Sequence, residues 1–276
     1  MQRLRIPTGD LTLDALWTGP QDGPVVVLLH GFPQSSWSWR GVWPGLAAAG
    51  YRVVVPDLRG YCPDARPEPV EAYAMVHLVA DVVAVLDHLG VEWADVVGHD
   101  WGAAIAWQVA GRHPERIRSL TAVSVPHPVA FVEALRSDED QRARSRYMKQ
   151  WLDPQAEQDL LAGGLEQVFG GIPSVDAERY LGLLRQPGVL TKALNFYRAQ
   201  SLADLDGMGP VTAPTLHVWS DQDAALGPVA ARATGRHVQG PYRFEVLEGV
   251  SHWVPEQAAD RLTALLLEHL RLGADR

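Results

Sequence analysis

Short apolar runs punctuate the first half of this chain, and segments of helical period separate them. Val25-Val26-Val27-Leu28-Leu29 is short and β-branched, which suits a strand buried on both faces. Tyr51 to Val55 and Asp95 to Val97 read the same way, and Ile117 to Val125 is a further strand candidate. Leu11 to Trp17 alternates apolar and polar positions, the period of a half-buried strand. Between these runs Met75, Val79, Val82, Val83, Leu86 and Leu89 fall at helical spacing, with Gly90 as a C-cap. Gly102 to Arg112 predicts a second helix, ended near His113-Pro114. Strands alternating with helices predict an α/β fold with a mostly parallel sheet covered on both faces.

From about Pro128 to Gly209 the pattern changes. No buried strand run is present, and helices are predicted over Asp138 to Trp151, Ala156 to Phe169, Asp176 to Arg185 and Leu190 to Leu202. Strands return at Thr215 to Trp219 and Arg243 to Leu247, and Ala258 to Leu272 predicts an amphipathic terminal helix. The expected organisation is a core domain, 1–127 and 210–276, interrupted by a helical lid, 128–209.

A chain of 276 residues that is 47% hydrophobic suits one such interrupted domain. The net charge of −9 argues against a nucleic-acid partner, because there is no basic patch to neutralise phosphates. Arg142, Arg144 and Arg146 read as a solvated helix face. The single cysteine, Cys62, has no histidine nearby in sequence and reads as structural. No apolar run approaches the ~20 residues of a membrane span, and the N-terminal segment lacks a signal-peptide core. A cytoplasmic protein without membrane association is expected. The scattered His and Asp residues lack metal-site spacing, so no metal or organic cofactor is expected.

The segment that carries chemistry is Val96-Val97-Gly98-His99-Asp100-Trp101-Gly102, a strand end, then G-x-D-x-G, then a helix. G-x-S-x-G in that context is a sharp turn that exposes its central side chain above the sheet. Asp100 replaces the serine here. A helix N-terminus beside it favours the ionised carboxylate, which can attack an electrophilic carbon without a base to activate it. The competing reading of Asp100 is an ordinary helix N-cap. Two further candidates follow C-terminal strands: Ser220-Asp221-Gln222-Asp223 and Gly249-Val250-Ser251-His252. Sites in open parallel sheets form at such strand ends.

Together with His30-Gly31-Phe32-Pro33 and Pro56-Asp57-Leu58-Arg59-Gly60-Tyr61, these residues resemble the epoxide hydrolase branch of the α/β-hydrolase family, over essentially the whole chain. The resemblance implies Asp100 as nucleophile, His252 as general base and Asp223, rather than Asp221, as its orienting acid. It implies an oxyanion hole from the backbone N–H groups of Phe32 and Trp101. His30 then matters for its backbone, its ring being structural. In the inserted segment, Ser145-Arg146-Tyr147-Met148 and Leu194-Asn195-Phe196-Tyr197-Arg198 are similar to the segments that carry the family's two tyrosines. Tyr147 and Tyr197 are thereby implied as donors to the epoxide oxygen. Phe32, Trp101, Trp151 and Phe196 are candidate substrate contacts.

The implied reaction opens an epoxide to a vicinal diol through an aspartyl ester, with a small apolar epoxide and water as reactants. Oligomeric state is left open between monomer and homodimer. A haloalkane dehalogenase shares the Asp nucleophile and is the alternative. That family usually has a halide-binding Asn where Phe32 stands, and it has no use for the tyrosine pair. A haloacid dehalogenase would want arginines after the nucleophile, and an esterase would want Ser or Cys at position 100. A non-catalytic small-molecule-binding α/β-hydrolase is a further alternative, although such proteins often lose a triad member and none is missing here.

Overall fold

The structure, a computed structural model, describes residues 1–272. Its centre is an eight-stranded sheet of order β1-β2-β4-β3-β5-β6-β7-β8. The strands are β1 (Gln2–Thr8), β2 (Leu11–Thr18), β3 (Val25–Leu29), β4 (Arg52–Pro56), β5 (Ala94–His99), β6 (Ile117–Val123), β7 (Thr215–Gln222) and β8 (Tyr242–Ser251). β1 and β2 join antiparallel, and every pairing from β4 to β8 is parallel. β1 is an addition to the strands read from sequence. It contains Pro7, which a strand tolerates at a sheet edge.

Strand periodicity sends successive residues of β3 to opposite faces. On one face Val25, Val27 and Leu29 pack with Leu78, Val82 and Leu86 of α2 (Met75–Leu89) and Ala103 and Ala106 of α3 (Trp101–Arg112). On the other, Val26 and Leu28 pack with Leu46 of α1 (Trp43–Ala48) and with Leu262, Leu266 and Leu270 of α13 (Ala259–Leu272). Each fully buried Val or Leu among them contributes about 1.5–3 kcal/mol. α2 ends where expected, on Gly90 in the left-handed region (φ 68°), a conformation glycine adopts without steric cost.

Between β6 and β7 the chain is helical: α4 (Pro128–Ser137), α5 (Glu139–Arg144), α6 (Arg146–Gln150), α7 (Ala156–Asp159), α8 (Leu165–Val168), α9 (Ser174–Leu184) and α10 (Val189–Arg198). Two predicted helices are broken. The Asp138 to Trp151 stretch divides at Ser145, and the Ala156 to Phe169 stretch at Gly163, whose φ of 134° only glycine accepts readily. α4 was not read from the sequence. α11 (Pro228–Ala233) and α12 (Val254–Gln257) complete the fold. No described helix is long and apolar enough to cross a membrane.

The reading of Arg142, Arg144 and Arg146 as a solvated face is corrected at Arg144. Its guanidinium pairs with Asp140 and donates to the backbone carbonyl of Asp223. Cys62 is buried, and its thiol donates to the Asp57 carbonyl at 3.1 Å.

Candidate active site

β5 runs directly into α3, and the residue at the junction is Asp100, with φ 51° and ψ −121°. A non-glycine residue with positive φ is strained, and such strain concentrates at functional positions. The turn closes because Gly98 and Gly102 flank it. A Cβ on Gly98 would run into the Gly102 backbone, and one on Gly102 into the Leu29 carbonyl. Gly31 matters equally, since a Cβ there would overlap the Asp100 side chain itself.

The loop after β3 therefore lies against the Asp100 carboxylate. The Phe32 N–H donates to Asp100 Oδ1 at 2.7 Å. The Trp101 N–H makes no hydrogen bond to this carboxylate. His30 holds the loop from beneath. Its ring is fully buried, Nδ1 lies 3.0 Å from the Gly31 carbonyl, and Nε2 accepts the Leu58 N–H at 3.0 Å. Burial keeps its pKa below the usual value, which suits a neutral structural imidazole. The Pro56 to Tyr61 segment is anchored in turn: Arg59 forks onto Asp81 of α2 at 2.8 and 2.6 Å, and Asp57 accepts the Ser36 N–H at 2.7 Å.

His252 directly follows β8, and Asp223 directly follows β7. The His252 Nδ1 lies 2.8 Å from Asp223 Oδ2, and its Nε2 lies 3.4 Å from Asp100 Oδ2. Burial pulls the His252 pKa down, but Asp223 and Asp100 outweigh it and hold the imidazole at about 10. Asp223 is fully buried. Burial would raise its pKa, yet His252 and the N–H groups of Leu226 and Ala225 keep it below the usual carboxylate range. Asp221, the neighbouring candidate, instead accepts the Gly249 N–H at the surface.

Two residues that sequence reasoning missed hold the His252 main chain. His99 Nε2 lies 2.8 Å from the His252 carbonyl, and Ser124 Oγ donates to the same oxygen at 3.3 Å. His99 sits inside the G-x-D-x-G motif, but nothing local reveals a partner 153 positions away.

A cavity of about 380 Å³ opens over Asp100 and Trp101. Tyr147 of α6 and Tyr197 of α10 line it. Their rings are 6.3 Å apart, with Tyr197 edge-on to Trp101 at 4.9 Å and to Phe32 at 5.4 Å. Burial, then the charge of Asp100, pushes both phenol pKa values upward, so both stay protonated. The remaining wall is mostly apolar, including Phe131, Val132 and Leu135 of α4, Met148 and Leu226.

The expected substrate contacts divide between that wall and the packing behind it. Trp101 lines the cavity, but Phe32, Trp151 and Phe196 do not. Phe196 faces away into the core, 5.9 Å from Tyr73 and 6.1 Å from Tyr61. Phe32 and Trp151 pack on each other at 4.8 Å and brace the tyrosines from behind, Trp151 lying 4.5 Å from Tyr147. An amphipathic helix shows that an aromatic residue is inward-facing, without showing whether a cavity or a neighbour receives it.

The α/β hydrolase fold model matches residues 24–259. The chain is 33% identical to the AB hydrolase superfamily protein YfhM of Bacillus subtilis over 96% of both chains. It is 32% identical to epoxide hydrolase A of Mycobacterium tuberculosis, again over 96% of both. Among solved structures, epoxide hydrolase A from Mycobacterium thermoresistibile superposes with a TM-score of 0.86 at 28% identity, covering 98% of each chain. Sequence and architecture thus agree from end to end, and the chain belongs to the α/β-hydrolase fold family.

Proposed function

We propose that this protein is an epoxide hydrolase that opens an epoxide to a vicinal diol through an ester on Asp100. The observation that carries the reading is the common cavity, whose lining brings one carboxylate, Asp100, together with two phenols, Tyr147 and Tyr197. Relatives named epoxide hydrolase support it. In this reading residues 128–209 form a lid over a core made of 1–127 and 210–276.

Asp100 Oδ2 attacks an epoxide carbon, forming a C–O bond as the ring C–O bond breaks. Tyr147 and Tyr197 hydrogen-bond the epoxide oxygen, and one of them gives its proton to the developing alkoxide. A phenol is the stronger acid of the pair, so the transfer runs downhill. Esterification removes the negative charge of Asp100. His252 then faces one carboxylate instead of two, its pKa falls, and the proton it gives up replaces the one lost by the tyrosine, leaving a neutral imidazole that can act as a base. With Asp223 orienting it, His252 takes a proton from water, and the hydroxide adds to Asp100 Cγ. Negative charge develops on Oδ1, which the Phe32 N–H already holds; the Trp101 N–H is the second donor available as that oxygen shifts. The Cγ–Oδ2 bond breaks, the leaving oxygen takes the proton of the newly added hydroxyl, the diol departs with Oδ2, and the water oxygen remains in the carboxylate with His252 again protonated.

The test is product release from apolar epoxides, styrene oxide among them, with 1-bromobutane as control and Asp100→Ala alongside. Diol that disappears in the variant supports the reading. Bromide release with no diol from any epoxide moves the protein to haloalkane dehalogenation.

A further inference from the structure

α5 is a six-residue helix that carries a fully buried glutamine, Gln141, and its side-chain amide is spent on the loop that holds Asp223. Gln141 Oε1 accepts the Gly227 N–H at 2.7 Å, and Nε2 donates to the Ala225 carbonyl at 2.9 Å. The same Nε2 donates to Ser145 Oγ at 3.0 Å, two residues before Tyr147. On the inner side of the loop, Asp223 Oδ1 accepts the N–H groups of Ala225 (2.8 Å) and Leu226 (2.9 Å).

The Ala225 carbonyl and the Leu226 N–H belong to one planar peptide unit and point in opposite directions. Gln141 therefore grips the outer end of the peptide whose inner end holds the Asp223 carboxylate. Hydrogen bonds arranged in series polarise one another. Arg144, one turn along α5, donates to the Asp223 carbonyl and closes the loop from its other end. With Oδ1 held in this way, Oδ2 is left facing His252 Nδ1 at 2.8 Å.

We propose that Gln141 is a positioning residue for the hydrolytic half of the reaction, acting through the 225–226 peptide on Asp223 and so on His252. This inference rests on the assignment of Asp100 as nucleophile and His252 as base. The clamp does not touch Asp100, so ester formation stays close to normal without it. Ester hydrolysis, which needs an oriented imidazole, slows.

The experiment is a rapid-quench single turnover of styrene oxide by the full-length protein, with the ester on Asp100 followed by intact mass. The Gln141→Met variant removes both ends of the grip at similar volume. Gln141→Glu keeps the acceptor for Gly227 and loses the donor to Ala225. In both, ester hydrolysis is expected to fall about tenfold, the factor one lost buried hydrogen bond corresponds to, with ester formation changed less than about threefold. The acid limb of the hydrolysis step shifts to lower pH, because a loosened Asp223 supports less positive charge on His252. Equal loss in both steps with an unmoved acid limb, in either folded variant, assigns Gln141 a purely structural role and overturns the proposal. Absence of any ester in the unsubstituted protein fails the Asp100 assignment itself, and the Gln141 role with it.

Discussion

His252 Nε2 lies 3.4 Å from Asp100 Oδ2 while its Nδ1 faces Asp223, so one imidazole bridges two carboxylates. The free protein therefore holds His252 as an imidazolium through neutral pH, with a pKa near 10. Replacing Asp100 by Asn keeps the shape and removes one charge. The His252 midpoint, followed by NMR of the ring protons, is expected to fall by at least about one unit. An unchanged midpoint would show that Asp100 does not set the state of the base.

The same shift links the site to stability. The folded pKa is raised above the ordinary value of 6.5, so the native state binds the proton more tightly than the unfolded chain. The stabilisation is fully present below pH 6.5 and is lost as pH rises through about 10. In urea unfolding, the stability advantage over His252→Gln is expected to shrink across that window. An advantage that grows there reverses the sign and contradicts the ion pairing.

Asp223→Asn preserves an oxygen for the Ala225 and Leu226 N–H groups but discards the charge that orients His252. Ester formation is expected to continue and ester hydrolysis to drop by about 10⁴-fold, the scale seen when a triad carboxylate is neutralised. The variant should accumulate a protein adduct heavier by one substrate, readable by intact mass. A variant that turns over normally would remove Asp223 from the reaction.

Tyr147→Phe and Tyr197→Phe delete the two hydroxyls, while Phe retains the ring packing against Trp151 and Trp101. Each change is expected to leave stability within about 0.5 kcal/mol and to slow ester formation by about 10²-fold, as loss of a positioned acid does. The double variant should form no measurable ester. Thermal melts separate this outcome from general damage.

At position 31 the prediction is steric. Gly31→Ala would drive a methyl group into the Asp100 side chain, so the loop or the carboxylate must move. A displacement near 1 Å at a reacting group costs about 10²-fold in rate. Diol formation measured against a Gly182→Ala control, where a Cβ meets nothing within 4 Å, isolates the effect at the site from simple loss of a glycine.

The chain's own chemistry determined the layers of the fold. β-branched runs, helical spacing and a glycine cap act over a few residues, so the parallel strands and α2 are readable without tertiary contacts. The strand–G-x-D-x-G–helix turn is readable for the same reason, since its glycines answer a local crowding of backbone. Tertiary structure alone decided what depends on residues far apart in sequence. Phe196 and Tyr197 are adjacent on one helix, yet one packs into the core and the other lines the cavity, because opposite surroundings receive neighbouring side chains. Gln141 and Arg144 look like ordinary polar positions of a short helix until the loop at 223–227, more than 75 residues on, is folded against them. Burial and hydrogen-bond partnership are properties of the assembled chain, and they turned a glutamine into a clamp and a surface arginine into its companion.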